Sequence, residues 1–271
     1  MKQLIVLSLM CLILSSCGKN LTVNLAETAL LWRVDDYFDI DKNQRKDLKS
    51  NFRQALKQVN DEIIPEFEKV IFSEALITKE CVQVEKSYYE LKPQFEQLRI
   101  RFLKRSFSFI DSVNPKQVEY FIEQTNKEIA KDEKKSNSDR VNASEKRLKR
   151  TQSTLQELFG DLTAPQQQSV QTHVLEQKSY ENFLIESRKK NINVLQNKSV
   201  PEAKQYLKNY VIQWRDFHTA ELKAAVLERE VRNEKFFLDF FCTASVKQKK
   251  HFQTTVADYL NLFRKVYLAQ K

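Results

Sequence analysis

Four aspartates, Asp35, Asp36, Asp39 and Asp41, fall within seven positions and stand beside Trp32, Tyr37 and Phe38. Paired carboxylates serve general acid–base chemistry or hold Ca²⁺, so this cluster is the first place to look for a reaction. Asp39-x-Asp41-x-Asn43 opens like an EF-hand loop, but the turn-glycine position holds Gln44 and the bidentate-glutamate position holds Ser50. That reading fails. Two others remain for the candidate cluster of Trp32, Asp35, Asp36, Tyr37 and Asp39: a looser cation site, or a structural role. In the structural role Asp41 caps a helix, Tyr37 and Phe38 pack, and one aspartate pairs with Arg33 or Arg45.

Other chemistry finds little footing. His173, His218 and His251 are the only histidines. None lies four residues from another or in ligand spacing with Cys81 or Cys242, so neither a metal site nor a cofactor is expected. The two glycines, Gly18 and Gly160, cannot build a Gly-x-Ser-x-Gly elbow, a P-loop or a dinucleotide-binding turn. No catalytic residue is assigned, and the expectation is a protein that is not an enzyme. Scarce glycine also argues against hairpin-rich sheets. With 41% hydrophobic and 30% charged residues and 18 phenylalanines, the 271-residue chain reads as folded and helical.

The elements that must carry these residues announce themselves at their starts. Asp41, Asn114, Thr163 and Ser245 each follow an apolar residue and precede a glutamine by three: Gln44, Gln117, Gln166 and Gln248. This is the capping box, in which the cap side chain accepts from the N3 amide and the glutamine reaches back to the cap N–H. Seven residues past each cap stands an apolar residue (Leu48, Phe121, Val170, Phe252), which directs the helix into a core. Ser199 with Glu202 supplies a fifth start. Apolar residues recur at three and four from Phe252 to Tyr267 and from Leu207 to Val226, and a long Gln-rich helix is expected from Thr163 to about Asn197. Pro65 and Pro93 are expected to break or kink helices, and Gly160 to end one. Residues 131–144, polar throughout, read as a loop or an exposed helix end. The expectation is an all-α multi-helix bundle of about seven to nine helices in one elongated or bundled domain, residues 17–271.

The first 16 residues form a signal peptide: Lys2 supplies the positive n-region and residues 4–14 an apolar run too short to span a bilayer. The run ends in Leu14-Ser15-Ser16-Cys17, which resembles the bacterial lipobox. That resemblance implies acyl chains, palmitate among them, on Cys17, and stable anchoring through more than one chain. Gly18 in the following position implies the outer membrane, facing the periplasm. The chain carries a formal net charge of +9, and Lys2 is the only charge removed with the signal. Basic clusters at Arg140, Lys146, Arg147, Lys149 and Arg150, at Arg188-Lys189-Lys190 and at Lys247, Lys249 and Lys250 read as solvated faces or as contacts to anionic lipid. They lack the interleaved aromatics that stack bases, and nucleic acid is not an expected partner. Cys81 and Cys242 are left in an oxidising compartment, where they either pair or stay as two buried thiols.

The block Trp32-Arg33-Val34-Asp35-Asp36-Tyr37-Phe38-Asp39-Ile40, with Gln44, Glu62-Ile63-Ile64-Pro65-Glu66-Phe67 and Phe159-Gly160-Asp161-Leu162-Thr163, resembles a family of uncharacterised lipoproteins of Gram-negative bacteria. It implies an all-helical, lipid-anchored envelope protein and supplies no catalytic residues. Leu162-Thr163-Ala164-Pro165-Gln166 is also similar to the LTxxQ motif of the Spy and CpxP periplasmic chaperones. Two functions follow as expectations. One is a non-enzymatic binding or scaffolding protein whose partner is another envelope protein or an anionic envelope component. The other is a lipid- or lipopolysaccharide-handling or Spy-like chaperone module, which needs an apolar groove rimmed by basic residues.

Overall fold

A computed structural model describes residues 23–78, 81–135, 137–177 and 179–268. Cys17 and Gly18, with the rest of the signal region, lie outside the described residues. No strand occurs among the described residues, and the chain is an all-α multi-helix bundle. In order it forms α1 (Val23–Phe38), α2 (Lys42–Gln58), α3 (Ile64–Ile71), the short α4 (Glu74–Thr78), α5 (Cys81–Lys104), the short α6 (Phe107–Ser112) and α7 (Pro115–Glu133). There follow α8 (Asn137–Phe159), α9 (Ala164–Leu175), α10 (Glu181–Gln196), α11 (Val200–Ile212), α12 (Ala220–Thr243) and α13 (Val246–Leu268).

Two expected long helices divide. The Gln-rich stretch after Thr163 stops at Leu175 and resumes at Glu181, and the stripe from Leu207 to Val226 is interrupted by a 3₁₀ turn at Trp214–Phe217. Thr219 then caps α12 by accepting from the Leu222 N–H at 3.3 Å, a start that the glutamine pattern does not mark. A π turn at Val59–Ile63 separates α2 from α3, with Pro65 in the first turn of α3, where its missing N–H leaves no bond unmade. Pro93, by contrast, sits inside α5, which continues through it. Residues 131–144 are mostly the end of α7 and the start of α8.

Two main cores form. One gathers Leu31, Ile40, Leu48, Phe109, Ile110, Val113, Val118 and Leu207 around the α1–α2 and α6–α7 connections. The other gathers Phe52, Leu56, Phe159, Leu162, Val170, Phe240, Phe241, Phe252 and Val256 around the α8–α9 and α12–α13 connections. Polar links tie the helices. Glu27, buried on α1, receives Lys49 at 2.7 Å and Arg53 at 2.8 Å from α2, and Glu68 on α3 takes a bidentate pair from Arg264 on α13. The sulfurs of Cys81 and Cys242 are bonded, with Cα atoms 5.2 Å apart across a sequence separation of 161. Lys92 and Glu234 join the same two helices, α5 and α12, at 2.5 Å.

Candidate functional site

The aspartate cluster does not converge on a shared point. Asp35 Oδ1 accepts from the Ile40 N–H at 3.0 Å and its Oδ2 from Arg45 at 2.7 Å, so this carboxylate holds the turn after α1. Asp41 Oδ1 accepts from the Asn43 and Gln44 amides at 2.8 and 2.9 Å as the α2 cap. Asp39 has a positive φ of 47°, a conformation that Asp tolerates better than most residues, and its carbonyl oxygen accepts from Gln117. Asp36 is exposed. Trp32 is 65% exposed on the outside of α1. Tyr37 accepts from Arg33 at 3.1 Å, and its ring lies 6.0 Å from that of Phe121. Among the described residues no group of three or more His, Cys, Asp or Glu is placed to hold a metal ion.

What the block does build is a junction of two capping boxes. Gln44 reaches its own cap, with the Asp41 N–H donating to Oε1 at 3.1 Å, and Gln117 does the same for Asn114 at 3.1 Å. Each amide then turns to the other: Gln44 Nε2 donates to Gln117 Oε1 at 3.0 Å, and Gln117 Nε2 donates to Gln44 Oε1 at 2.7 Å. The remaining donors go to Ser112 and to the Asp39 carbonyl. Both glutamines are buried, and a buried amide with every donor and acceptor partnered fixes one geometry while avoiding the penalty of an orphaned group.

A second junction repeats the core of this arrangement. Gln166 and Gln248, also buried, exchange amide hydrogen bonds at 3.2 and 2.9 Å, and each accepts from its own cap N–H, Thr163 and Ser245, at 3.0 Å. Gln248 donates to the Asp161 carbonyl as Gln117 does to Asp39, each two residues before the opposing cap. The aromatic lids correspond as well. Phe38 stacks on Phe121 at 4.9 Å and meets Phe109 edge-on, and Phe159 stacks on Phe252 at 5.1 Å and meets Phe240 edge-on. Phe121 and Phe252 are both seven residues past a cap, and Phe109 and Phe240 both five residues before one. The residue after each lidding phenylalanine takes a positive φ: Asp39 in the first, and in the second Gly160 at 76°, the residue expected to end a helix. The four glutamines at one offset were visible in the sequence; that they meet in pairs was not.

The histidines are dispersed. His173 stacks on Phe236 at 4.0 Å, His218 lies edge-on to Trp214, and His251 Nε2 is 3.2 Å from the Glu157 carbonyl. Burial lowers the His173 pKa below the ordinary histidine value, aided by the Arg232 and Arg229 charges. Two of the basic clusters carry contacts that the sequence did not specify. Arg188 pairs with Asp132 and Lys189 with Glu133 and Glu186, while Lys249 is buried against the Phe241 ring. No helix of the described residues is long and apolar enough to cross a membrane. No family model, curated protein or solved structure matches this chain.

Proposed function

We propose that the chain is a lipid-anchored envelope protein, held through Cys17 in the outer membrane and facing the periplasm, whose helical domain works by binding or scaffolding. The observation that carries this reading is the Cys81–Cys242 disulfide, because structural disulfides persist in oxidising compartments and the lipobox gives the same address. A non-enzymatic role is supported by the use of Asp35, Asp41 and the four paired glutamines, whose polar atoms are engaged in holding helices together. The partner in this reading is another envelope protein or an anionic envelope component.

The alternative, a lipid-handling or chaperone module, asks for an apolar groove. The open surface along α10, where Lys189, Lys190, Asn193 and Val194 stand on one helix with Lys198 just past its end, lacks the facing wall that such a groove requires. Metabolic labelling with palmitate followed by membrane fractionation tests the anchor. Label on the wild-type protein in the outer-membrane fraction and none on Cys17→Ala is the expected result; an unlabelled protein overturns it.

A further inference from the structure

The turn between α9 and α10 is ringed by three arginines from two other helices. Arg147 of α8 donates to Gln177 Oε1 at 3.2 Å, Arg232 of α12 donates to the Glu176 carbonyl at 3.1 Å, and Arg229 lies 5.0 Å over the Tyr180 ring. Gln177 in turn bonds Asn233 at 3.1 Å and approaches His173 Nε2 at 3.0 Å, which fixes the floor of the turn. Most arginines elsewhere have a carboxylate within 2.8 Å, Arg45, Arg53, Arg188 and Arg264 among them, while Arg33 and Arg105 donate to Tyr37 and to the Gln54 and Gln58 amide oxygens instead. Here, among the described residues, Arg147 and Arg229 have none within 4.0 Å, and Arg232 reaches only Glu228, at 3.5 Å. The Arg229 Nε is buried and donates to nothing. A guanidinium drawn partly out of water without a carboxylate is costly, and burial together with the Arg147 charge, opposed by Tyr180, holds the Arg229 pKa below its ordinary value.

Leu175, next to Glu176 at the end of α9, is 52% exposed beside the turn. Guanidinium forks match the geometry of phosphate oxygens. We propose that this turn is an oxyanion site in which Arg147, Arg229 and Arg232 take the phosphate of an anionic lipid headgroup, with Leu175 against its apolar part. The choice of a lipid as the phosphate source rests on the envelope reading; the oxyanion site itself does not.

The test uses the full chain carrying Cys17→Ala, so that no acyl anchor contributes. It is floated on phosphatidylglycerol vesicles and on phosphatidylcholine vesicles, and its melting is followed with and without inorganic phosphate. The expected result is preferential binding to phosphatidylglycerol that falls roughly tenfold or more in Arg229→Gln/Arg232→Gln, the loss of charge-assisted hydrogen bonds. Lys235→Gln, on the same helix but paired with Asp239, should leave it unchanged. Equal binding to both vesicles, or none, overturns the proposal. So does a phosphate-raised Tm without a phosphatidylglycerol preference, which would make free phosphate the ligand. Arginine variants that lower Tm while leaving binding intact would reduce these residues to caps of the α9 end. If the double variant does not fold, Arg147→Gln and displacement of the parent chain from vesicles by inorganic phosphate give the same reading. A failure here leaves the anchor to the palmitate experiment, which reports on it separately.

Discussion

Gln44 and Gln117 each offer two amide hydrogens and an oxygen that takes two bonds, and in the fold all of these are used. Truncating one therefore removes more than a contact: Gln44→Ala leaves the Gln117 amide and the Asp41 N–H short of partners in a buried place. A loss of about 2–3 kcal/mol is expected, read as a lower urea midpoint, whereas a loss within about 0.5 kcal/mol would show that water replaces the amide freely. Each box is legible from four consecutive residues, because a cap depends only on side chains that local geometry brings together. The bond between boxes was not legible, since Gln44 and Gln117 are 73 positions apart and nothing local selects the partner. The aspartates were legible by the same local logic: of the two readings the sequence left, the turn after α1 builds the structural one, with Asp35 on Arg45 and Asp41 capping its own helix.

Between helices, charge and sulfur do what short-range pattern cannot. Burial opposes ionisation of Glu27, yet the hydrogen bonds and charges of Lys49 and Arg53 prevail and hold its pKa below the ordinary 4.5. With the folded value below the unfolded one, the α1–α2 link stabilises fully above pH 4.5 and is lost as pH falls through the depressed value. Glu27→Gln is thus expected to unfold at lower urea than wild type at neutral pH, and the gap should close on acidification; a gap independent of pH would refute the assignment. The α5–α12 link is covalent. A disulfide spanning 161 positions removes much freedom from the unfolded chain, so dithiothreitol or the Cys81→Ser/Cys242→Ser pair should cost about 3–5 kcal/mol by urea unfolding. Identical midpoints with and without reductant would show that the bond is dispensable. Two helix interruptions went unmarked in the sequence for a related reason. The turn at residues 176–180 and the 3₁₀ turn at Trp214–Phe217 carry neither glycine nor proline, and the tertiary contacts of Tyr180 and Trp214, not local breakers, end those helices.

Across the molecule, one arrangement of paired boxes, stacked phenylalanines and a positive-φ residue occurs twice, once in each main core. The two clusters share no buried residue, so each junction should stabilise its own neighbourhood. Combining Gln44→Ala with Gln248→Ala is therefore expected to add within about 0.5 kcal/mol in a double-mutant cycle, while a larger coupling would mean that the cores fold as one strained unit. The sequence by itself determined the helical class and the five boxed helix starts, because scarce glycine, apolar periodicity and caps all act over a few residues. Only the tertiary structure decided that Gln44 meets Gln117, that Gln166 meets Gln248, that Cys81 meets Cys242, and that three arginines gather at one turn where Glu228 on Arg232 is the one carboxylate contact among the described residues. Those meetings join residues many turns apart, and the packing of whole apolar faces, which no local pattern encodes, chooses them.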